Sequence, residues 1–434
     1  MIERKTCRKE SRGMGLEYLK ITGGVPLCGE LTVQGSKNAA LPVLAACLLG
    51  DDVCILQNCP VISDVDDTLK IMETLGCRIR REGSTVCVDA SGVNRCEILG
   101  PEAARIRSSI LFLGALLGKM GKAVLPMPGG CAIGARPIDL HLKVLEELGA
   151  NIFIDEKITA EGVGLRGRTV SLALPSVGAT ENAILASVLA RGRTVIQNAA
   201  REPEIDELCR FLKLRGAQIV RQEDGEIRID GVQRLYPVRY RMRADRIVSG
   251  TYLLAAASAG GSVRICNFPH GELTSLLEVL HKIGVRIRID GSSLTAEAVG
   301  SLRALPHLET APYPGFPTDL QSQLMAVLCR AEGRSCICEQ IFENRFRTAD
   351  ALRKMGAEIR TEGRCAWITG VRQLRGAQLK ATDLRGGAAL VIAALGAKGD
   401  TFIGETAYIA RGYENICRDL RLLGAKITCG DDAT

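Results

Sequence analysis

The pattern of hydrophobic and polar residues repeats six times along this 434-residue chain. In each copy an amphipathic helix ends at a glycine, and a strand of alternating apolar and polar residues follows it. Glycine readily adopts the left-handed conformation that closes a helix. The glycines expected to do so, spaced by 67 to 73 residues, are Gly76, Gly149, Gly216, Gly284, Gly356 and Gly424.

A second helix precedes each of these helices. It is rich in Ala, Leu and Gly, as in NAALPVLAACLLG from Asn38 and AALVIAALGAKG from Ala388. Helices that are apolar on every side are buried, so each unit should place one helix inside and a sheet outside. We expect an α/β protein with three βαβαββ-type units in each of two domains. The predicted domains are residues 37–243 and residues 1–36 together with 244–434.

Composition excludes several function classes. Aromatic residues make up 4% of the chain, which leaves few side chains to stack on single-stranded nucleic acid. The net charge of +7 is spread along the chain rather than concentrated in a basic block. No apolar run reaches membrane-spanning length without a charge or a glycine. We therefore expect no nucleic-acid partner and no membrane segment.

The chain contains 17 cysteines. No signal-peptide pattern precedes the first unit, so reduced thiols in the cytoplasm are expected rather than a disulfide framework. The cysteines form no CxxC pair, Cys336 and Cys338 being one residue apart, and the four histidines are scattered. The sequence therefore predicts no structural zinc site.

One loop combines a thiol with a cation. Cys131 follows two glycines in PGGCAIGARPIDLH, residues 128–141, and Arg136 comes five residues later. Arginine can hold a carboxylate or phosphate through two parallel hydrogen bonds, so this loop suggests chemistry on a small anion. The alternative is that Cys131 is a small buried hydrophobic residue, which is the commoner role of cysteine.

Polar residues also gather where the apolar helices begin. Helix capping explains the Ser, Thr and Asp residues there, but it does not explain Lys37, Arg107 and Arg385. A cation is unfavourable at the positive end of a helix dipole unless an anion joins it. Arg136 and Arg411 each lie 13 residues before their cap glycine, so they are equivalent in the two halves. They either enter one cleft from opposite sides or are two surface arginines.

Eight motifs in one order resemble those of a known family. They are GSKNAALP (35–42), PGGCAIGARPIDLH (128–141), PSVGATEN (175–182), REPEI (201–205), APYPGFPTD (311–319), FENRF (342–346), ATDLR (381–385) and RGYE (411–414). The chain resembles the UDP-N-acetylglucosamine 1-carboxyvinyltransferases, which are enolpyruvyl transferases. The resemblance implies two inside-out α/β barrel domains, each of three repeated units.

The resemblance implies that phosphoenolpyruvate and UDP-N-acetylglucosamine react by addition and elimination to give the 3-O-enolpyruvyl sugar nucleotide and phosphate. It also implies the first committed step of peptidoglycan synthesis, and hence a role in cell shape and cell division. Neither a metal nor another cofactor is implied, and we expect a cytoplasmic monomer. The family's matching cysteine is the target of fosfomycin.

Site roles follow by matching motifs. Cys131 is expected to protonate the enol methylene carbon, and Asp319 to take the proton of the sugar hydroxyl. Lys37, Asn38, Arg136, Arg385 and Arg411 are expected to bind phosphoenolpyruvate, with Lys37 and Arg411 also counted as catalytic. The expected nucleotide-sugar ligands are Arg107, Arg136, Pro137, Ile138, Asp139, Leu140, Ser176, Val177, Gly178, Asp319 and Ile341. Arg345 and Asp383 are expected to support the site.

Two positions depart from the family, and two other functions are possible. Leu174 stands where some members have a lysine near the nucleotide phosphates, and Val248 replaces a common glutamate. These departures bear on substrate affinity. The alternatives are the sister enzyme 5-enolpyruvylshikimate-3-phosphate synthase and a catalytically silent protein that binds UDP-sugars. The Lys37-Asn38 pair and the Cys131 loop argue against the first, and the presence of Cys131, Asp319 and Arg411 argues against the second.

Overall fold

The computed structural model describes residues 18–129, 134 and 137–430. These residues form a mixed α/β structure. The helices are α1 (Lys37–Cys47), α2 (Ser63–Thr74), α3 (Glu102–Arg105), α4 (Leu111–Met120), α5 (Asp139–Glu147), α6 (Val177–Ser187), α7 (Pro203–Leu214), α8 (Arg246–Ala259), α9 (Thr274–Ile283), α10 (Gln321–Leu328), α11 (Thr348–Lys354), α12 (Leu384–Gly396) and α13 (Ile416–Leu422). Four short 3₁₀ turns in these ranges cover Arg107–Ile110, Thr318–Leu320, Arg345–Arg347 and Thr406–Arg411.

Short strands alternate with the helices. They are β1 (Tyr18–Thr22), β2 (Leu27–Leu31), β3 (Val53–Gln57), β4 (Arg78–Glu82), β5 (Thr85–Asp89), β6 (Lys122–Pro126), β7 (Asn151–Ile154), β8 (Lys157–Glu161), β9 (Thr169–Ser171), β10 (Arg193–Gln197), β11 (Gln218–Arg221), β12 (Ile227–Asp230), β13 (Val238–Arg241), β14 (Gly261–Ile265), β15 (Arg286–Asp290), β16 (Ser293–Ala298), β17 (Leu308–Glu309), β18 (Arg334–Cys338), β19 (Glu358–Glu362), β20 (Cys365–Thr369), β21 (Gln378–Lys380), β22 (Asp400–Gly404) and β23 (Lys426–Gly430).

The strands of the described ranges pair into six small sheets. Their orders are β13-β3-β5-β4, β6-β8-β7, β9-β10-β12-β11, β2-β14-β16-β15, β17-β18-β20-β19 and β21-β22-β1-β23. In the fifth sheet, for example, β18 pairs in parallel with β17 and antiparallel with β20. Burial alternates along most strands, as in β5 and β22, because one face of each sheet covers helices and the other faces solvent.

The six glycines that the sequence predicts as helix ends all have positive φ, between +86° and +109°. At each one the amide that follows the glycine donates back to the carbonyl five residues earlier, as Cys77 does to Met72 and Ala425 does to Leu420. This is the hydrogen bond of the Schellman motif, which satisfies a carbonyl at the end of the helix. The six predicted helix ends are therefore confirmed. They could be predicted because a helix end of this kind depends on local geometry alone.

The apolar helices are buried, as predicted. All thirteen residues of α12 are buried, and in α1 only Asn38 is partly exposed. Their side chains belong to two hydrophobic cores. One core is built from residues between Ala40 and Met242. The other core combines Leu19–Val33 with residues between Ala244 and Ile427. The chain therefore passes from one core to the other at residues 34–39 and again at residue 243.

Strand β1 completes the sixth sheet from a distant part of the chain. It lies antiparallel between β22 and β23, with Tyr18 opposite both Gly404 and Gly430. In the fourth sheet the corresponding position between β14 and β15 belongs to β16, which directly follows β15. In the sixth sheet β1 therefore occupies the position that the hairpin strand β16 occupies in the fourth.

The cysteines differ from expectation at one pair. Cys338 and Cys365 form a disulfide across strands β18 and β20. Thirteen other cysteines in the described ranges are free thiols, as expected of a chain without a disulfide framework. Cys7 and Cys131 lie outside these ranges. No described helix is both long and apolar enough to span a bilayer.

Replacement of Gly356 should destabilise the fold through backbone conformation alone. Its φ is +91°, and a Cβ there would meet no atom within 4 Å. Gly356→Ala should therefore lower the free energy of unfolding by about 1 kcal/mol, because an L-residue is strained in this region. Gly356→Asn, which tolerates the conformation better, is the matched control and should lose less. Urea denaturation checks both, and an alanine variant as stable as the parent chain would contradict the assignment.

Candidate active site

The Asp64 carboxylate joins two predicted site cations that come from different cores. Its Oδ2 atom is 2.7 Å from the Nζ of Lys37. Arg411 donates to both Asp64 oxygens, Nε at 2.8 Å and a terminal nitrogen at 3.2 Å. Asp64 lies in the first turn of α2, whereas Arg411 ends the 3₁₀ turn after β22. Lys37 and Arg411, both expected site residues, therefore meet at one carboxylate.

The ionisation of this cluster follows from burial and charge. Burial would raise the pKa of Asp64, but the charges of Lys37 and Arg411 outweigh it and hold that pKa below its usual value. Burial lowers the pKa of Lys37, and the Asp64 carboxylate opposes this shift. The Arg385 and Arg411 guanidiniums also lower the pKa of Lys37. The ammonium therefore lies in a crowded positive field that Asp64 only partly neutralises.

A second carboxylate holds two further cations. Arg345 donates to Oδ1 of Asp319 at 2.7 Å, and Arg385 donates to Oδ2, also at 2.7 Å. Arg345 also donates to the hydroxyl of Thr318. Burial would raise the pKa of Asp319, but Arg385 and Arg345 hold it well below the ordinary value. Asp319 is therefore ionised, and both of its oxygens are engaged.

The starts of three buried helices carry these groups. Ser36 caps α1 just before Lys37, and Asp383 caps α12 just before Arg385, so both polar residues act as helix caps. Asp245 caps α8 and also accepts a hydrogen bond from the backbone amide of Lys37 at 2.9 Å. The Asp245 carboxylate thus ties the start of α8 to the start of α1 across the two cores.

Beside this link lies a buried ion pair. Arg246 donates to both carboxylate oxygens of Glu204, at 2.9 and 3.2 Å. The Arg246 charge also lowers the pKa of Asp319. Glu204 lies in α7 and Arg246 in α8, so this pair also joins the two cores.

The predicted nucleotide-sugar residues of the first core form a second group. Arg107 donates to the carbonyls of Pro128 and Pro137, both at 3.4 Å. Asp139 and Leu140 begin α5, and Val177 and Gly178 begin α6 after Ser176, whose hydroxyl caps that helix. The two helix starts meet at His141, because a Cβ on Gly178 would lie 2.7 Å from its ring. Ile138 is buried at the edge of the core.

The Glu339 carboxylate organises the predicted residue Ile341. It accepts hydrogen bonds from the amides of Ile341 and Phe342, at 2.8 and 3.1 Å. It also accepts from the hydroxyl of Thr318 at 2.9 Å. Ile341 and the Asp319 turn therefore share one buried anchor.

Gly134 places part of the Cys131 loop beside the second core. Its φ is +138°, and a Cβ there would lie 2.2 Å from a carboxylate oxygen of Glu343. Gly134 thus lies against the segment that carries Ile341 and Arg345. Cys131 and Arg136 themselves lie outside the described residues.

Sequence reasoning missed four residues of this region: Asp64, Asp245, Arg246 and Glu204. Asp64 follows Ser63 in an acidic first helix turn, where a favourable helix dipole explains a carboxylate without any further role. Asp245 carried a usable signal, because an Asp before an apolar helix is a typical cap. Of the two departures, Leu174 is 67% exposed just before Ser176, and Val248 is buried in the first turn of α8.

Known proteins match this chain along almost its whole length. Residues 21–420 match the family model described as EPSP synthase (3-phosphoshikimate 1-carboxyvinyltransferase). The chain belongs to the EPSP synthase family of enolpyruvyl transferases. Within this family, relatives named UDP-N-acetylglucosamine 1-carboxyvinyltransferase are more than 40% identical to it.

Two such relatives and one solved structure illustrate the match. The enzyme named UDP-N-acetylglucosamine 1-carboxyvinyltransferase 2 of Caldanaerobacter subterraneus subsp. tengcongensis is 45% identical over 94% of this chain and 98% of its own length. The UDP-N-acetylglucosamine 1-carboxyvinyltransferase of Geotalea daltonii is 42% identical over 95% of this chain and 99% of its own length. The crystal structure of the enolpyruvyl transferase NikO from Streptomyces tendae matches with a TM-score of 0.86 over 95% of this chain and 98% of its own chain. The two sequences are 26% identical.

Removing the charge of Asp64 should destabilise the protein strongly. Asp64→Asn leaves Lys37 and Arg411 without their shared anion in a buried site, so we expect a loss of about 3 kcal/mol at neutral pH. Because the folded-state pKa of Asp64 lies below the unfolded value, its stabilisation is complete above pH of about 4 and is lost as the pH falls further. The difference between variant and parent should therefore shrink in acid. Urea denaturation at several pH values measures it.

Asp400→Asn is the matched control for that experiment. Asp400 pairs with Lys20 at 2.8 Å, but both side chains are 40% exposed. An exposed pair contributes only up to about 1 kcal/mol. Equal losses in the two variants would contradict the structural role of Asp64.

Proposed function

We propose that this chain transfers the enolpyruvyl group of phosphoenolpyruvate to the 3-hydroxyl of UDP-N-acetylglucosamine and releases phosphate. This is the reaction for which its 42–45% identical relatives are named. The observation that carries the proposal is the pair of carboxylates, Asp64 and Asp319, that gather four cations, two of them at the starts of α1 and α12. Such a cluster suits a ligand with several negative charges.

The fold is proposed in more detail than the family match requires. We infer that the six sheets are the outer layers of six βαβαββ units, arranged as two inside-out α/β barrels of three units each. The proposed domains are residues 37–243 and residues 1–36 with 244–434. The change between hydrophobic cores near residues 34–39 and 243 supports these boundaries.

Phosphoenolpyruvate is proposed to bind among the cations. Lys37, Arg385 and Arg411 would contact its phosphate and carboxylate, with Arg136 and Asn38 beside them and Asp383 holding the start of α12. Asp319 accepts a hydrogen bond from the Arg385 guanidinium, and Asp64 accepts one from that of Arg411. The substrate anion therefore has to compete with these carboxylates, and binding should rearrange the arginine contacts.

Asp319 is proposed to accept the proton of the sugar 3-hydroxyl. A carboxylate that receives hydrogen bonds from two arginines is a weak base, because its pKa lies far below the operating pH. Drawing Arg385 towards the substrate phosphate would raise the proton affinity of Asp319. Arg345 would remain on the other oxygen and keep the carboxylate oriented. Substrate binding would thus activate the base.

Cys131 is proposed to deliver the other proton. A free thiol has a pKa near about 8.5 and is mostly protonated at neutral pH, as a general acid must be. It would protonate the methylene carbon while the sugar oxygen attacks the adjacent carbon, giving a tetrahedral ketal. A proton of the new methyl group would then return to the Cys131 thiolate as the carbon–oxygen bond to phosphate breaks, giving the enolpyruvyl product and free phosphate.

The nucleotide sugar is proposed to lie between the two groups of residues. The converging starts of α5 and α6 provide backbone amides, and Arg107 provides a cation. The ligands in this proposal are Arg107, Arg136, Pro137, Ile138, Asp139, Leu140, Ser176, Val177, Gly178, Asp319 and Ile341. The sugar end would point towards Asp319.

The alternatives have weaker support. A shikimate 3-phosphate substrate is disfavoured because relatives of 42–45% identity are named for the UDP-sugar. A silent UDP-sugar-binding protein is disfavoured because Lys37, Asp319 and Arg411 are retained and brought into cation–carboxylate clusters. We further propose that the chain works as a cytoplasmic monomer in peptidoglycan precursor synthesis, and thereby in cell shape and division.

Phosphate release tests this function. Purified protein should release phosphate from phosphoenolpyruvate with UDP-N-acetylglucosamine but not with shikimate 3-phosphate. Asp319→Asn should lower kcat by about 10² or more, because the hydroxyl proton loses its acceptor. Asp350→Asn, which changes an exposed carboxylate paired with Arg353, is the control and should leave kcat unchanged. Release with neither acceptor would refute the proposal, and release with shikimate 3-phosphate alone would establish the alternative.

Fosfomycin should modify this protein at Cys131. The Cys131 thiolate would open the epoxide, forming a carbon–sulfur bond and breaking a carbon–oxygen bond. Mass spectrometry of the digested protein should find the adduct on the peptide that contains Cys131, and Cys131→Ser should prevent it. An adduct on Cys28, which is an exposed free thiol, would instead indicate unselective alkylation.

A further inference from the structure

Three cysteines and a histidine gather on the fifth sheet, away from the cation clusters. Cys336 and Cys338 lie in β18, and Cys365 lies in β20. His307 immediately precedes β17. These elements are neighbours in the sheet order β17-β18-β20-β19.

The strand register puts all four side chains on one face. Cys336 and Cys338 flank Ile337, which is fully buried in the core, so the two thiols face the other way. Cys365 lies directly opposite Cys338. Strands β17 and β18 are parallel, with Glu309 opposite Cys338. His307, two residues before Glu309, therefore lies beside Cys336. In the sequence, the separation of Cys336 and Cys338 by one residue argued against a zinc site. Within a strand the same separation favours one, because it places both thiols on one face.

The distances suit a tetrahedral metal ion. The ligand atoms of His307, Cys336 and Cys338 all lie within 4.8 Å of one another. The sulfurs of Cys336 and Cys338 are 4.0 Å apart. Zinc binds thiolates at about 2.3 Å, which places tetrahedral ligand sulfurs about 3.8 Å from each other. The Cys365 sulfur is not among these three ligand atoms but is bonded to the Cys338 sulfur, so it becomes the fourth donor only when the disulfide is reduced.

We propose that His307, Cys336, Cys338 and Cys365 bind one zinc ion when the Cys338–Cys365 disulfide is reduced. An external dithiol breaks the sulfur–sulfur bond, gives two electrons and two protons to the cysteines, and is itself oxidised to a disulfide. Zn²⁺ then replaces the protons of the three thiols, which pass to solvent. Three thiolates and one imidazole are a typical ligand set of closed structural zinc sites.

A carboxylate supports the histidine of this site. Oε1 of Glu309 is 3.1 Å from Nε2 of His307. Metal-binding imidazoles commonly pair their other ring nitrogen with a carboxylate, which fixes the orientation of the ring. Glu309 is thus placed as a positioning residue for the metal.

The site adjoins the anchor of the proposed active centre. Cys338 is followed directly by Glu339, which holds Thr318 and Ile341. A metal at Cys338 would cross-link β17, β18 and β20 at the point where this anchor leaves the sheet. The metal site does not depend on the proposed function, because none of its ligands belongs to the cation clusters.

Metal content measures the site directly. The full chain, reduced with a dithiol and separated from it without oxygen, is given Zn²⁺ and dialysed. We expect one zinc per chain by mass spectrometry of the metal. Co²⁺ should give a thiolate-to-metal absorption band. It should also quench the fluorescence of Trp367, the single tryptophan, which lies opposite Cys336. The disulfide-bonded form should bind at least tenfold more weakly.

Variants separate this site from the other thiols. Cys336→Ser and His307→Ala should each weaken zinc binding at least tenfold; both residues are partly exposed, so the variants should fold. Cys266→Ser, which changes a half-buried thiol directly after β14, and Cys131→Ser are controls and should retain the metal. The proposal would be overturned if the reduced protein bound no zinc, or if both site variants retained zinc unchanged.

Discussion

Two carboxylates that each pair with two cations hold the centre of this molecule together. Asp64 joins Lys37 to Arg411, and Asp319 joins Arg345 to Arg385. Burying four cations without counterions would be strongly unfavourable, so the helix starts can converge only with these anions present. Under the proposed function, a substrate with several negative charges would take over some of the hydrogen bonds that these cations make to the two carboxylates. Stability without ligand and affinity for an anion thus depend on the same side chains.

What could be predicted from sequence was mostly local. The glycine at the end of each outer helix was predictable, because a Schellman motif involves only a few neighbouring residues. The burial of α12 followed from its composition. The partner of Arg411 was not predictable, because Asp64 is 347 residues away and has an ordinary local explanation at a helix start. The cysteine site was missed because CxxC spacing describes turns and not strands.

Capping and binding proved difficult to distinguish at the helix starts. Ser36, Ser176 and Asp383 all cap helices, so their side chains have a complete structural explanation. The cations that follow Ser36 and Asp383 have no such explanation, and it is these that lie in the carboxylate clusters. At a polar helix start, a residue whose charge opposes the helix dipole is therefore a better candidate for a binding role than the capping residue before it.

The position of β1 between β22 and β23 sets an order of assembly during synthesis. The first core uses residues 40 to 242 and is complete once that stretch has left the ribosome. The second core needs both a strand made at the start and strands made at the end. Until β22 and β23 emerge, β1 remains an unpaired strand tethered to a folded neighbour. During that interval β1 is open to incorrect pairing, as any unpaired strand is.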